Sequence, residues 1–203
     1  MAGRLPLTSP GRAWAALAAL LALGSVFAWW LPALRLDWQP ALAATEPWRA
    51  WSAAYVHWSA LHLGANLAAT AAVAAFGWAA RLPPAAALAW GVAWPLTHAG
   101  LLLRPELAHY GGLSGVLHAG VAVAVSWLLV AGQGRQRAIG ALVGAGLVAK
   151  LLLERPWGAV LRHPAGWDIA TAPLAHATGA VAGLLCGVLA LLAGSAGRRR
   201  FRS

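Results

Sequence analysis

The chain has 203 residues, of which 61% are hydrophobic and only 10% charged, and its mean hydropathy is +0.67. That composition excludes an ordinary soluble domain and makes lipid the expected solvent for most of the sequence. The formal net charge of +10 comes from 15 Lys and Arg against five acids; these bases are spread along the chain without a continuous stripe between aromatics, so nucleic acid is not an expected partner.

In chain order, the gaps between charged residues define the candidate spans, since about 20 apolar residues cross a bilayer. Residues 1–12 form a basic N-terminal segment. The first apolar run extends from Ala13 to Leu34. Ala41-Leu42-Ala43 has the small residues of a signal-peptidase site but lies about ten residues past Trp30, too far for that arrangement, and the run is long enough to span. An uncleaved first helix is therefore expected. The connection from Pro32 to Ser52, with three prolines and three tryptophans, lies partly in the membrane interface on this reading. Further runs follow from Ala50 to Ala80, Leu82 to Leu103, Leu107 to Gly134 and Ile169 to Gly197. A shorter one, Ala138 to Leu153, is interrupted by Lys150, whose stem can carry its ammonium to the interface.

Six spans would place Arg4, Arg12, Arg81, Arg135, Arg137 and the cluster Arg198 to Arg202 on one side. The positive-inside rule makes that side the cytoplasm. The expectation is an all-α membrane protein with six transmembrane helices, both termini cytoplasmic, a core over residues 13–195 and a basic tail over 196–203 next to anionic lipid headgroups. Trp29, Trp30, Trp48, Trp51, Trp58, Trp157 and Trp167 fall near outer span ends, where indoles anchor. Cys186 is the only cysteine, which leaves no disulfide and no thiolate pair for a metal.

The chemistry lies in the polar residues that remain in the spans. None of the five longer runs contains Asp or Glu, which excludes paired intramembrane aspartates and the carboxylate relays of many pumps. The His-Glu-x-x-His pattern of a zinc protease is absent as well. What remains is His57, His62 and Asn66 in the second span, Ser114 and His118 at the start of the fourth, and His176 in the sixth. These spans enter from the outer face, so the groups share one depth. Gly111-Gly112-Leu113-Ser114-Gly115 sets a hydroxyl at a helix start, beside backbone amides able to hold an oxyanion. His176 shares a helix face with Gly179, Gly183 and Gly187, a ridge that admits a close neighbour. If that neighbour is the fourth span, Ser114 meets His176, the minimum apparatus for attack on an amide. His62 and Asn66, four residues apart, can donate to the same oxyanion. His118, one turn after Ser114, can stack on the base. His57 reads as interfacial, and His98, His109 and His163 as surface or loop residues.

On these residues the chain resembles the rhomboid intramembrane serine proteases, from about Glu46 to Gly187. Trp48-Arg49 resembles that family's Trp-Arg element and His62-x-x-x-Asn66 its oxyanion histidine and asparagine. Gly112-x-Ser114-Gly115 resembles its nucleophile motif, and His176-x-x-Gly179-x-x-x-Gly183 its general-base helix. The resemblance implies cleavage of single-span membrane proteins near the outer face by a Ser114–His176 dyad. Ser114, His62 and Asn66 would hold the oxyanion, without metal or cofactor and with no carboxylate to complete a triad. The histidine at position 118, where many rhomboids have tyrosine, and the bare six-span core make the chain most similar to the rhombosortases. These act on proteins ending in a Gly-Gly-containing tail, one membrane helix and a basic cluster. The implied setting is the bacterial inner membrane, with the active site opening toward the periplasm. Ala172-Pro173-Leu174-Ala175 departs from the family by lacking a polar residue before the base. The competing readings are a catalytically inactive rhomboid-like binding factor, which would normally lack Ser or His at the dyad, a haem bundle with His62 and His176 as axial ligands, and a transporter, for which broken helices and charged paths are missing.

Overall fold

In the computed structural model, residues 10–200 are described; the terminal segments 1–9 and 201–203, with Arg4 and Arg202, lie outside the described residues. The fold is all-helical. Among the described residues seven helices follow in order: α1 (Arg12–Ala28), α2 (Arg49–Ser52), α3 (Ala60–Ala79), α4 (Pro84–Ala99), α5 (Ser114–Val130), α6 (Arg135–Glu154) and α7 (Pro173–Arg200). Among the described residues there is no strand, only isolated bridges between Trp38 and Tyr110 and between Arg162 and Thr171.

Four stretches are long and apolar enough to cross a membrane: α3, α4 with its 3₁₀ continuation to Leu103, α6, and α7 as far as Ser195. Helices α1 and α5 are apolar but have 17 residues each, about 26 Å at the usual helical rise. The run Ala50 to Ala80 thus begins as a helix ten residues late. Its first part is α2 and a 3₁₀ turn in the loop, and Ser59 caps α3 by accepting the His62 amide at 3.0 Å. The run interrupted by Lys150 is a full 20-residue helix. Its lysine pairs one turn on with Glu154, so the charge closes the helix end without breaking it.

Helix α5 is the centre of the bundle, with twelve of its 17 residues buried. Helix α6 is at the periphery, with Gly140 its one buried residue, and it exposes Leu142, Val148, Leu152 and Leu153. Such a face suits lipid and not water. Lipid tails are as apolar as leucine, so helices in a membrane associate by close packing. The α5–α7 contact has that character: a Cβ built on Gly179 would lie 2.0 Å from the Gly115 carbonyl oxygen, and one on Gly183 2.2 Å from that of Ala119. The small residues in α7 therefore let the two backbones touch, and they do so with the start of α5 beside the second turn of α7.

A second cluster, Trp38, Ala50, Ala53, Leu101, Leu107, Tyr110, Ala172 and Ala175, seals the end of the bundle where α3, α5 and α7 begin. Arg49 organises it. The buried guanidinium reaches the Asp37 carboxylate at 3.0 Å, the Asp37 and Leu34 carbonyls at 2.8 and 3.1 Å, and Glu46 at 2.5 Å. Asp37, fully buried, takes His109 on its other oxygen at 2.6 Å, and the neighbouring Trp38 pairs with Tyr110 through two backbone bonds. The long first connection is thereby tied to the segment that leads into Ser114. Breaking a buried pair leaves an uncompensated charge. Arg49→Ala is expected to lower stability by about 3 kcal/mol, read as a reduced midpoint of thermal unfolding in detergent.

All seven tryptophans assigned to outer span ends are exposed, and they cluster at this same end of the molecule. Trp14 and Trp90 instead fill the interior, their rings 4.4 Å apart. Cys186 is buried and unpaired.

Candidate active site

The N-terminal ends of α3, α5 and α7 and the C-terminal end of α6 surround a cavity of about 530 Å³ whose lining includes His62, Asn66, Ser114, His118, Glu154 and His176. Residues distant in sequence meet there because α7 enters parallel to α5 along the glycine ridge. Ser114 is the first residue of α5. No side chain caps that end, so the first amides of the helix are free to face an anion, and the helix dipole adds to their pull.

Ser114 Oγ lies 2.8 Å from His176 Nε2. On the opposite edge of the imidazole, Nδ1 is 2.7 Å from Glu154 Oε2. An ionised carboxylate only accepts, which fixes the tautomer: Nδ1 carries the proton and donates to Glu154, while Nε2 accepts from the serine hydroxyl. The expectation that no carboxylate stands behind the histidine is therefore overturned. Glu154 closes α6, and the bundle brings that end against the start of α7. The other Glu154 oxygen accepts from the Lys150 ammonium.

His118 lies flat on the base, with ring centroids 4.2 Å apart, planes at 11°, and its Nδ1 donating to the Ser114 carbonyl at 2.6 Å. His118, Glu154 and His176 present ligand-type atoms within 4.8 Å of one another. The stack does not suit one ion, however. Imidazole lone pairs lie in the ring plane, and a metal about 2.0–2.1 Å from a nitrogen of each ring cannot lie in two parallel planes at once. His176 has both nitrogens engaged, so axial ligation of haem would cost it the serine or the glutamate.

His62 and Asn66 face the nucleophile loop from α3. A Cβ on Gly112 would lie 2.8 Å from His62 Nε2 and 4.0 Å from Asn66 Nδ2. Gly112 also has φ +136°, a backbone region disfavoured for L side chains, so both shape and conformation call for glycine there. The Trp58 amide donates to His62 Nδ1 at 3.4 Å, which leaves the proton on Nε2, the nitrogen nearest Gly112. One Asn66 N–H is used on the His62 carbonyl at 3.1 Å and the other remains available. Gly115 packs against the Ala175 carbonyl and Thr97. His62, Asn66, Ser114, His118 and His176 thus line one cavity, while Gly179 and Gly183 form the α5–α7 contact.

One histidine sits otherwise than expected. His98 is fully buried, bonded through Nδ1 to the Ala50 carbonyl at 2.6 Å, and it helps hold the α2 segment onto α4. His57, just before α3, is buried; burial pushes its imidazole down to about 4, against a smaller opposing effect of its bond to Tyr55, so it stays neutral beside His62, 4.8 Å away. His109 holds Asp37, and His163 is exposed.

Comparison with protein-family models and with curated proteins finds no match to this chain.

Proposed function

We propose that the chain is an intramembrane serine endopeptidase of the rhomboid type. The observation that carries the reading is the 2.8 Å contact between Ser114 Oγ and His176 Nε2, at the foot of a cavity among apolar helices. A base on the hydroxyl, amides at a helix start, and two side-chain donors opposite are the parts that acyl transfer requires. As Oγ attacks the substrate carbonyl, its proton passes to His176 Nε2. The oxyanion forms beside the Ser114 amide with His62 and Asn66 as further donors, and the proton is then delivered to the leaving amine. Water, entering the vacated position, attacks the acyl carbonyl as its proton passes to the same nitrogen, which returns a proton to Oγ as the acyl group departs as the acid.

The protein is placed in a bacterial inner membrane as six spans with both termini in the cytoplasm, the two 17-residue helices completing the four longer ones. The tryptophan-rich end, with the cavity, then faces the periplasm. Substrates are single-span membrane proteins, and the rhombosortase resemblance selects those with a Gly-Gly-containing C-terminal tail. The test is cleavage of such a tail reporter in proteoliposomes. Cleavage by wild type, and not by Ser114→Ala, is the expected result; a wild-type protein that leaves the Gly-Gly reporter intact while cleaving one that lacks the Gly-Gly tail contradicts the substrate assignment. His62→Ala and Asn66→Ala are each expected to lower kcat by about 10²–10³-fold, the usual effect of removing one oxyanion donor, with KM little changed.

A further inference from the structure

Glu154 is an odd residue for its place. It ends α6, where the helix dipole already gathers negative charge and an acid is disfavoured. Its carboxylate is divided between two partners, Oε1 to the Lys150 ammonium and Oε2 to His176 Nδ1 at 2.7 Å. The end of the helix is also held in place. Arg162 donates to the Glu154 carbonyl at 2.8 Å, Arg104 to the carbonyls of Trp157 and Gly158 at 3.0 and 2.9 Å, and Arg155 turns the chain in a left-handed conformation that a non-glycine residue rarely adopts. The helix is thus closed so as to keep a carboxylate against the edge of the imidazole that faces away from the serine.

We infer that Glu154 is the positioning residue of a Ser114–His176–Glu154 triad, and that Lys150 fixes its rotamer. This rests on the reading of Ser114 and His176 as nucleophile and base. Glu154 touches neither substrate nor the reacting hydroxyl. It selects the Nδ1–H tautomer, so that Nε2 offers its lone pair to Ser114, and it keeps the ring from turning toward His118. When Nε2 takes the serine proton, the imidazolium lies between the transferred proton and a fixed negative charge. Glu154 remains ionised throughout, and the proton leaves from Nε2 with the amine product. In Ser-His-Asp hydrolases an amide in place of the acid preserves geometry but not tautomer preference, and the same logic applies here.

The experiment measures acylation of detergent-solubilised protein by a fluorophosphonate, resolved into maximal rate and half-saturating concentration, for wild type, Ser114→Ala, Glu154→Gln and Glu154→Ala. Glu154→Gln is expected to lose about 10⁴-fold in maximal rate, with the half-saturating concentration unchanged. Formate is expected to accelerate Glu154→Ala and leave wild type unaffected, because a small carboxylate can occupy the space opposite Nδ1. Nitrogen NMR of labelled His176 in the wild-type protein reads the tautomer without any substitution and is expected to show the proton on Nδ1. Wild type acylated at Ser114 together with Glu154→Gln acylated at the wild-type rate overturns the role of Glu154 alone, as does a proton found on Nε2. A wild type that is folded and never acylated at Ser114 overturns the protease reading instead, while the tautomer still reports whether Glu154 holds the ring.

Discussion

Replacing His176 by alanine is expected to slow acylation of Ser114, and cleavage of a membrane substrate, by about 10⁴–10⁶-fold, the range in which members of a Ser-His unit fail when removed singly. The expectation follows from the contact at Nε2. A serine hydroxyl is a poor nucleophile until a base takes its proton, and His176 Nε2 is the basic nitrogen within hydrogen-bond distance of Ser114 Oγ, at 2.8 Å. The imidazole sits at the cavity wall, so its removal should leave the fold intact. A thermal midpoint close to wild type, measured on the same preparation, separates loss of chemistry from loss of structure.

The second large effect is expected from Gly179→Val. The added Cβ would lie 2.0 Å from the Gly115 carbonyl oxygen and 3.3 Å from its Cα, both backbone atoms of the central helix, so no side chain can turn aside to make room. The helices must part by an ångström or more, and the site is at their joint end. Overpacking of this kind costs about 1–3 kcal/mol or more, and a displacement of about 1 Å between reacting groups costs on the order of 10²-fold in rate. Gly194→Val is the control, because no atom lies within 4 Å of its added Cβ. Thermal unfolding and fluorophosphonate labelling of the two variants should differ sharply, with Gly194→Val close to wild type in both.

Much of the bundle is legible as gaps between charges, because a helix in lipid tolerates few of them. The gaps misplace the helix ends. Arg49 marks a boundary that looks like the start of a span, yet it folds into the loop because a buried Asp37 is there to receive it. Lys150 reads as an interruption of a span, yet it continues the helix by pairing with Glu154. The meeting of Ser114 with His176 is readable because the glycines at 179 and 183 mark the face of α7 that another backbone must touch, and matched polarity puts both residues at one level. Glu154 is missed for a physical reason: an acid-free span rule assigns every carboxylate to a loop, whereas this one sits at the last residue of a span, level with the entry of the next. The i, i+4 pairing of Lys150 with Glu154 was the available signal, since it extends α6 to that residue. His98 is hidden for a different reason. Its partner is a backbone carbonyl, that of Ala50, and no sequence pattern reports such a contact.

The most direct measurement is mass-spectrometric mapping of the adduct formed when the folded, detergent-solubilised protein is treated with a fluorophosphonate. A single modified residue, Ser114, is expected, with no adduct in Ser114→Ala. A folded wild-type protein that carries no adduct at Ser114, or carries one elsewhere that persists in Ser114→Ala, would contradict it.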